Sequence, residues 1–258
     1  MIVLSLNHQD FSFIEPGYKL FIPFMTIRSW ITLGSKYKVE GLRRKAGRQM
    51  DRLYGFDTFK EHQSMQSRRN KLFKDVGRMY GDVKYGHIEV VNLARSEAAN
   101  GRPELLGNLP FVFYECSRMS IDDLLLAEGG LPSLCPKDLA ILLKGKEELI
   151  DRDLDFLKKL VAYTPTHACT DFEHCLKQSR LLINDHWSDI VKTAGSLLSH
   201  RPSIEKLISR SGICKGCRKK LGDSLSAHCD NLWEYLGDVF KVDLYDRGVQ
   251  RAGEVESS

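Results

Sequence analysis

The chain has 258 residues, with 38 Lys and Arg residues against 34 Asp and Glu residues, and a formal net charge of +4. Its 42% hydrophobic and 28% charged residues are the balance of a globular protein of one or two domains, which excludes a collagen-like or largely disordered chain. No apolar run reaches the ~18 residues of a membrane-spanning helix, and Met1–Asp10 lacks the pattern of a signal peptide.

Seven cysteines indicate a reducing compartment. Their number is odd, and a chain of this length does not need disulfides to replace a missing core. We therefore expect free thiols and a cytoplasmic protein, with the nucleus as the alternative location.

Charge divides the chain into a basic N-terminal third and an acidic remainder. Between Ile27 and Arg78 there are fourteen basic residues and five acids, a net charge of +9, which leaves −5 for the rest. This asymmetry indicates an anionic partner or a contact between the two parts.

The first forty residues predict short strands. Ile2–Leu4 and Phe11–Ile14 are β-type runs, and Tyr18–Ile27 and Trp30–Leu33 follow as further runs. From Gly41 the apolar spacing becomes helical, with one face formed by Leu42, Ala46, Met50 and Leu53.

Two more helices are predicted over Thr58–Tyr80, which is basic, and His87–Glu97. Glycine and proline residues in Asn100–Pro110 predict a loop at this boundary. Phe111–Tyr114 has the composition of a buried strand. From Lys137 onwards the pattern is helical, with helices predicted over 139–161, Asp171–Ser199, Ser203–Arg210 (opened by Pro202) and Cys214–Phe240.

These elements predict an α+β chain that is predominantly α-helical, with a small strand-containing N-terminal part followed by a helical bundle. We divide it into a basic N-terminal region (1–100), a linker and strand segment (101–137), a C-terminal helical bundle (138–245) and a flexible tail (246–258).

Cysteines and histidines concentrate in the C-terminal half. Cys214 and Cys217 have the C-x2-C spacing at which two thiolates bind one tetrahedral zinc ion, and Cys229 is a third candidate ligand. The fourth is drawn from Cys169, His174 or Cys175. The sequence thus predicts a structural zinc site of Cys214, Cys217, Cys229 and Cys175, against two alternatives, core packing of these thiols and a redox pair at C-x2-C.

Basic residues in the N-terminal third are candidates for contact with the phosphates of a nucleic acid. The two clusters are Arg43, Arg44, Lys45 and Arg48, and Arg68, Arg69, Lys71 and Lys74. A solvated face, or a dock for the acidic part of the chain, is the alternative interpretation.

Common catalytic signatures are missing from the sequence: there is no P-loop, no G-x-G-x-x-G, no H-E-x-x-H and no G-x-S-x-G. Asp151, Asp153 and Asp155 alternate along a predicted helix, so they point to different faces instead of converging on a metal. We expect a protein that is not an enzyme.

The segment LGNLPFVFY at 106–114, running on to Ser117, resembles a short stretch of the phlebovirus non-structural proteins called NSs. That family has a Leu-Gly, then a proline, then an apolar and aromatic run followed by helices. This chain lacks the family's Trp-Pro before the Leu-Gly and has one extra residue, Leu109, before Pro110. The resemblance implies a viral accessory protein that antagonises host innate immune or stress signalling by binding host proteins.

Two functions are therefore expected. The first is a non-enzymatic protein-interaction factor of this viral kind. The alternative is an RNA-binding or matrix-like protein that uses the basic N-terminal helices and is braced by zinc.

Overall fold

The computed structural model describes residues 22, 24–55, 58–64, 84–125, 133–165, 169–191 and 194–240. Every regular element within those ranges is helical, and none is a strand. No helix among them is long and apolar enough to cross a membrane. The chain forms two compact units, and the division falls between Leu53 and Tyr54.

The helices are α1 (Phe24–Lys36), α2 (Glu40–Tyr54), α3 (Lys84–Ala99), a 3-10 helix (Pro103–Asn108), α4 (Leu109–Ser117), α5 (Ile121–Leu125), α6 (Pro136–Val161), α7 (Phe172–Val191), α8 (Leu197–Arg210) and α9 (Lys215–Val239). Residues 59–64 are also helical.

The first unit contains α1 and α2, apart from the last residue of α2. The two helices are joined by a tight turn in which Lys38 has a positive φ of 56° and the Val39 amide donates to the Gly34 carbonyl at 2.9 Å. Lys45 of α2 places its ammonium 5.3 Å from the ring centroid of Trp30 on α1.

The second unit is built around α4. Every residue from Phe111 to Ser117 is buried, and α4 packs against α3, α6 and α9. Phe113 stacks on Phe240 with ring centroids 5.7 Å apart, and Phe111 contacts Trp233 at 5.4 Å.

The α+β class is wrong for the part of the chain that the structure describes. Trp30–Leu33 lies within α1, and Phe111–Tyr114, although buried as predicted, lies within α4. A helix enclosed on all sides carries apolar residues on every face, so its sequence loses the helical period and cannot be told from a buried strand. The runs Ile2–Leu4 and Phe11–Ile14 lie outside the described residues.

The predicted helix over Asp171–Ser199 is two helices in the structure. α7 ends at Val191 and α8 begins at Leu197. Gly195 lies between them with φ of +83°, a left-handed conformation that glycine adopts at no steric cost. Pro202, predicted in a first turn, lies inside α8.

Asp153 of α6 fixes the start of α8. Its buried carboxylate accepts hydrogen bonds from the backbone amides of Gly195 at 2.8 Å and Leu197 at 3.3 Å, and lies 3.0 Å from Nε2 of His228 on α9. The carboxylate therefore pairs amides that the start of a helix leaves without intrahelical partners. Asp151 and Asp155 are exposed on the opposite side of α6 from the buried Asp153, so the three acids do not converge.

Gly145 gives a first test of this packing. A Cβ built there would lie 2.3 Å from Cδ1 of Phe240, whereas one at Gly222, also inside a long helix, would meet nothing within 4 Å. We expect Gly145→Ala to lower the free energy of unfolding by about 1–3 kcal/mol because the buried ring must move. Gly222→Ala should raise it by about 0.5–1 kcal/mol through helix propensity. Urea unfolding measures both, and a stabilising Gly145→Ala would contradict this packing.

Candidate metal centre

Four cysteines converge where α7 and α9 begin. The Sγ atoms of Cys169, Cys175, Cys214 and Cys217 all lie within 4.8 Å of one another. Cys169 lies three residues before α7 and Cys175 lies in the first turn of α7. Cys214 is the N-cap of α9 and Cys217 lies in the first turn of α9. Two segments about forty residues apart in sequence thus meet through their sulfur atoms.

The local sequence explains how the thiols come to face one another. Asp171 accepts a hydrogen bond from the His174 amide at 3.0 Å, which caps α7 and leaves Cys175 one residue further on. At the other helix the Cys217 amide donates to Sγ of Cys214 at 3.5 Å, so the C-x2-C spacing coincides with an N-cap and the third residue after it. Each cysteine pair is therefore positioned by a helix start.

The spacing of the sulfurs fits a tetrahedral metal ion. Sγ of Cys169 lies 3.8 Å from Sγ of Cys214, and Zn–S bonds of about 2.3 Å imply a tetrahedral edge of about 3.8 Å. The Cys214 amide also donates to Sγ of Cys175 at 3.2 Å, an amide-to-sulfur contact of the kind that supports thiolate ligands. The donor set can therefore hold a metal ion with little rearrangement.

Electrostatics in the group favour one thiolate at Cys214. The hydrogen bond from the Cys217 amide is the main cause that lowers the pKa of Cys214 to about 6. Burial is the main cause that raises the pKa of Cys169 to about 12, and burial also raises the pKa of Cys175. A metal ion that engaged all four sulfurs would displace the protons of the others.

Tyr163 lies near the group. Its hydroxyl is buried without a hydrogen-bond partner in the described part of the chain, and burial first, then the neighbouring Cys217 thiol, raises the pKa of Tyr163. Nζ of Lys220 lies 5.8 Å from the centroid of the same ring.

The structure brings three of the four predicted ligands together and leaves the fourth elsewhere. Cys175, Cys214 and Cys217 come together, whereas Cys229 lies twelve residues beyond Cys217 on α9, fully buried near Arg201. Its place is taken by Cys169, which the sequence offers as an alternative to Cys175 and which forms a second close pair with it, C-x5-C. All seven cysteines are free in the structure.

The basic candidates are only partly described. Arg44 and Arg48 are exposed on α2, whereas Arg43 pairs with Glu40 at 2.7 Å and Lys45 lies over Trp30. The second cluster, Arg68, Arg69, Lys71 and Lys74, lies outside the described residues.

Comparison with known proteins adds no assignment: no protein-family model, no curated protein and no solved structure matches this chain.

The low pKa of Cys214 predicts its reactivity in metal-free protein. A thiol with a pKa of about 6 is roughly nine-tenths thiolate at pH 7, and the thiolate is the nucleophile. The rate of alkylation of Cys214 by iodoacetamide should therefore rise with pH through about 6 and level off above 7. Mass spectrometry of the labelled peptides measures it. Buried Cys229, whose pKa is raised to about 12, should stay unlabelled, and a Cys214 midpoint near 8.5 would contradict the prediction.

Proposed function

We propose that this chain is a non-enzymatic interaction protein whose second unit is held together by a structural zinc ion on Cys169, Cys175, Cys214 and Cys217. The observation that supports the zinc site is the convergence of four sulfurs within 4.8 Å at two helix starts. Four thiolates leave no open coordination position, which is the pattern of structural zinc and not of catalytic zinc.

The chemistry of the donors favours zinc among the common divalent ions. Thiolates are soft ligands that select zinc over magnesium, calcium or manganese, which take oxygen. No carboxylate or histidine belongs to the group of four. A tetrahedral ion would satisfy all four sulfurs, which lie within 4.8 Å of one another and of which Cys169 and Cys214 are 3.8 Å apart.

Zinc at this position stabilises the fold by joining two distant helix starts. The chain between Cys175 and Cys214 contains most of α7 and all of α8. A zinc ion bound to both cysteines would close this loop, and closing a loop reduces the conformational freedom of the unfolded chain. The ion would hold the start of α7 against the start of α9.

The interaction role is supported by the resemblance to the NSs proteins at 106–117, and by the surface of α5. The segment 106–114 lies almost wholly in the core, so residues that contact a partner must be sought elsewhere. Ile121 and Leu125, one turn apart on α5, are exposed apolar side chains of the kind that protein interfaces cover. A host protein of innate immune or stress signalling is the partner that the resemblance implies.

Matched N-cap variants test the zinc site. Cys214 caps α9 and Cys135 caps α6 with nearly the same backbone angles and the same amide-to-sulfur distance of 3.5 Å. Serine is a good N-cap, so if the two cysteines act only as caps, either Cys→Ser change should lower the free energy of unfolding little or not at all. If zinc is bound, Cys214→Ser should lose it and lower the free energy of unfolding by at least about 3 kcal/mol. Cys135→Ser should keep the bound zinc and the free energy of unfolding of the wild type.

Elemental analysis of protein purified without chelator measures the metal. We expect about one zinc per wild-type chain, and protection of Cys214 from alkylation when zinc is present. Zinc well below stoichiometric amounts, or a Cys214→Ser variant as stable as Cys135→Ser, would refute the structural zinc.

A cell assay tests the interaction role separately. The full chain, expressed in cells that carry an innate immune transcription reporter, should reduce the induced signal. Cys135→Ser should still reduce it, whereas Cys214→Ser should not, because the second unit would no longer hold its shape. An undiminished reporter signal with wild-type protein, or reproducible turnover by purified protein that a point mutation abolishes, would reject this role.

A further inference from the structure

The outward face of α2 carries a row of arginines. Arg44, Arg48 and Arg52, here called the arginine stripe, are all exposed and recur every four residues, a rise of about 6 Å each. Ala46 and Met50, on the opposite side of the helix, are fully buried. The stripe is therefore the solvent side of an amphipathic helix.

The arginine stripe is not neutralised by ion pairs within the described part of the chain. Arg44, Arg48 and Arg52 make no ion pair or hydrogen bond with the part of the chain that the structure describes. The α2 acids are Glu40 and Asp51, and Glu40 pairs with Arg43 at 2.7 Å. Like charges four residues apart destabilise a helix, so a ligand with several negative charges would be favoured here.

The surroundings of the stripe are basic as well. Residues 24–53 contain eight Lys or Arg residues and two acids. Arginine presents a planar fork of donors that binds a phosphate through two hydrogen bonds, which a lysine ammonium does not do. Three such groups in a row match a ligand that carries phosphates in a row.

An exposed aromatic residue lies beside this surface in the sequence. Tyr37 is 63% exposed in the turn that leads into α2, and it stands between Lys36 and Lys38. Nζ of Lys36 lies 5.4 Å from the centroid of the Tyr37 ring. An aromatic face among cations is the arrangement on which unpaired bases stack in single-strand binding proteins.

We propose that the first unit binds single-stranded nucleic acid, with the arginine stripe on the phosphates and Tyr37 stacked on an unpaired base. RNA and DNA share both chemistries, so the experiment includes both. A duplex offers no free base face to Tyr37, and single strands are therefore the preferred ligand. The proposal rests on residues of the first unit and does not depend on the zinc site.

Fluorescence anisotropy with the full chain tests the stripe. The probes are labelled oligoadenylates of about 20 nucleotides, as RNA and as DNA, titrated at several salt concentrations. Changing all three stripe arginines to Gln should weaken binding on the order of 100-fold at low salt. The slope of log K against log salt should shrink by about 2, because each phosphate contact contributes about 0.7. The substituted side chains are exposed, so circular dichroism should show unchanged helix content.

A matched variant controls for net charge. Lys177→Gln, Arg180→Gln and Lys206→Gln together remove three exposed cations from α7 and α8 of the second unit. This variant should bind and respond to salt like the wild type. An equal loss in both triple variants would overturn the proposal, since it would mean that net charge alone drives binding.

Tyr37 supplies an independent readout. Tyr37→Ala should weaken binding about tenfold and leave the salt slope unchanged, because stacking releases no counterions. Tyr37→Phe keeps the ring and should bind like the wild type. Failure of the wild type to bind either oligonucleotide, or equal binding of the corresponding duplex, would overturn the proposal. So would binding only to vesicles of anionic phospholipid.

Discussion

The enclosure of α4 is the constraint on which the second unit depends. A nine-residue helix whose residues Phe111–Ser117 are all buried must be covered on every side, and α3, α6 and α9 supply that cover. The same constraint decides details further away. Phe240 stacks on Phe113 and occupies the space beside Gly145, so α6 can pass this close to the end of α9 only without a side chain at that position. Burial of one short helix therefore fixes where two long helices lie.

Three successive helices begin at a group that can carry negative charge. The thiols of Cys169 and Cys175 lie at the start of α7, the carboxylate of Asp153 at the start of α8, and the thiols of Cys214 and Cys217 at the start of α9. Unpaired amides and the helix dipole favour negative charge at these ends. The apolar core sets which helices are neighbours, and these polar groups set where each helix begins. A zinc ion on the four sulfurs would act on the same ends.

The sequence alone predicts three of the four cysteines that form the candidate site. C-x2-C located Cys214 and Cys217, and the preceding loop supplied Cys175. Cys229 does not join the group, because twelve residues along a continuous helix separate it from Cys217 by about 18 Å, too far for one metal ion to bind both. Cys169 took its place because the chain before α7 folds back onto α9. That return is a contact between distant segments, which no local pattern records.

The sequence by itself determined the amphipathic helices, since a helix with one wet and one buried face repeats its apolar residues every three or four positions. The same spacing places the arginines of α2 on its exposed face, and the composition alone gives the excess of positive charge in the first unit. Only the tertiary structure decided that Trp30–Leu33 and Phe111–Tyr114 are helical and that Cys169 completes the cysteine group. For Phe111–Tyr114 the physical reason is that full enclosure of α4 erases the periodic pattern. Trp30–Leu33 is a run of four residues, too short for its period to separate a helix from a strand. The meeting of two helix starts, in turn, depends on how the whole unit packs.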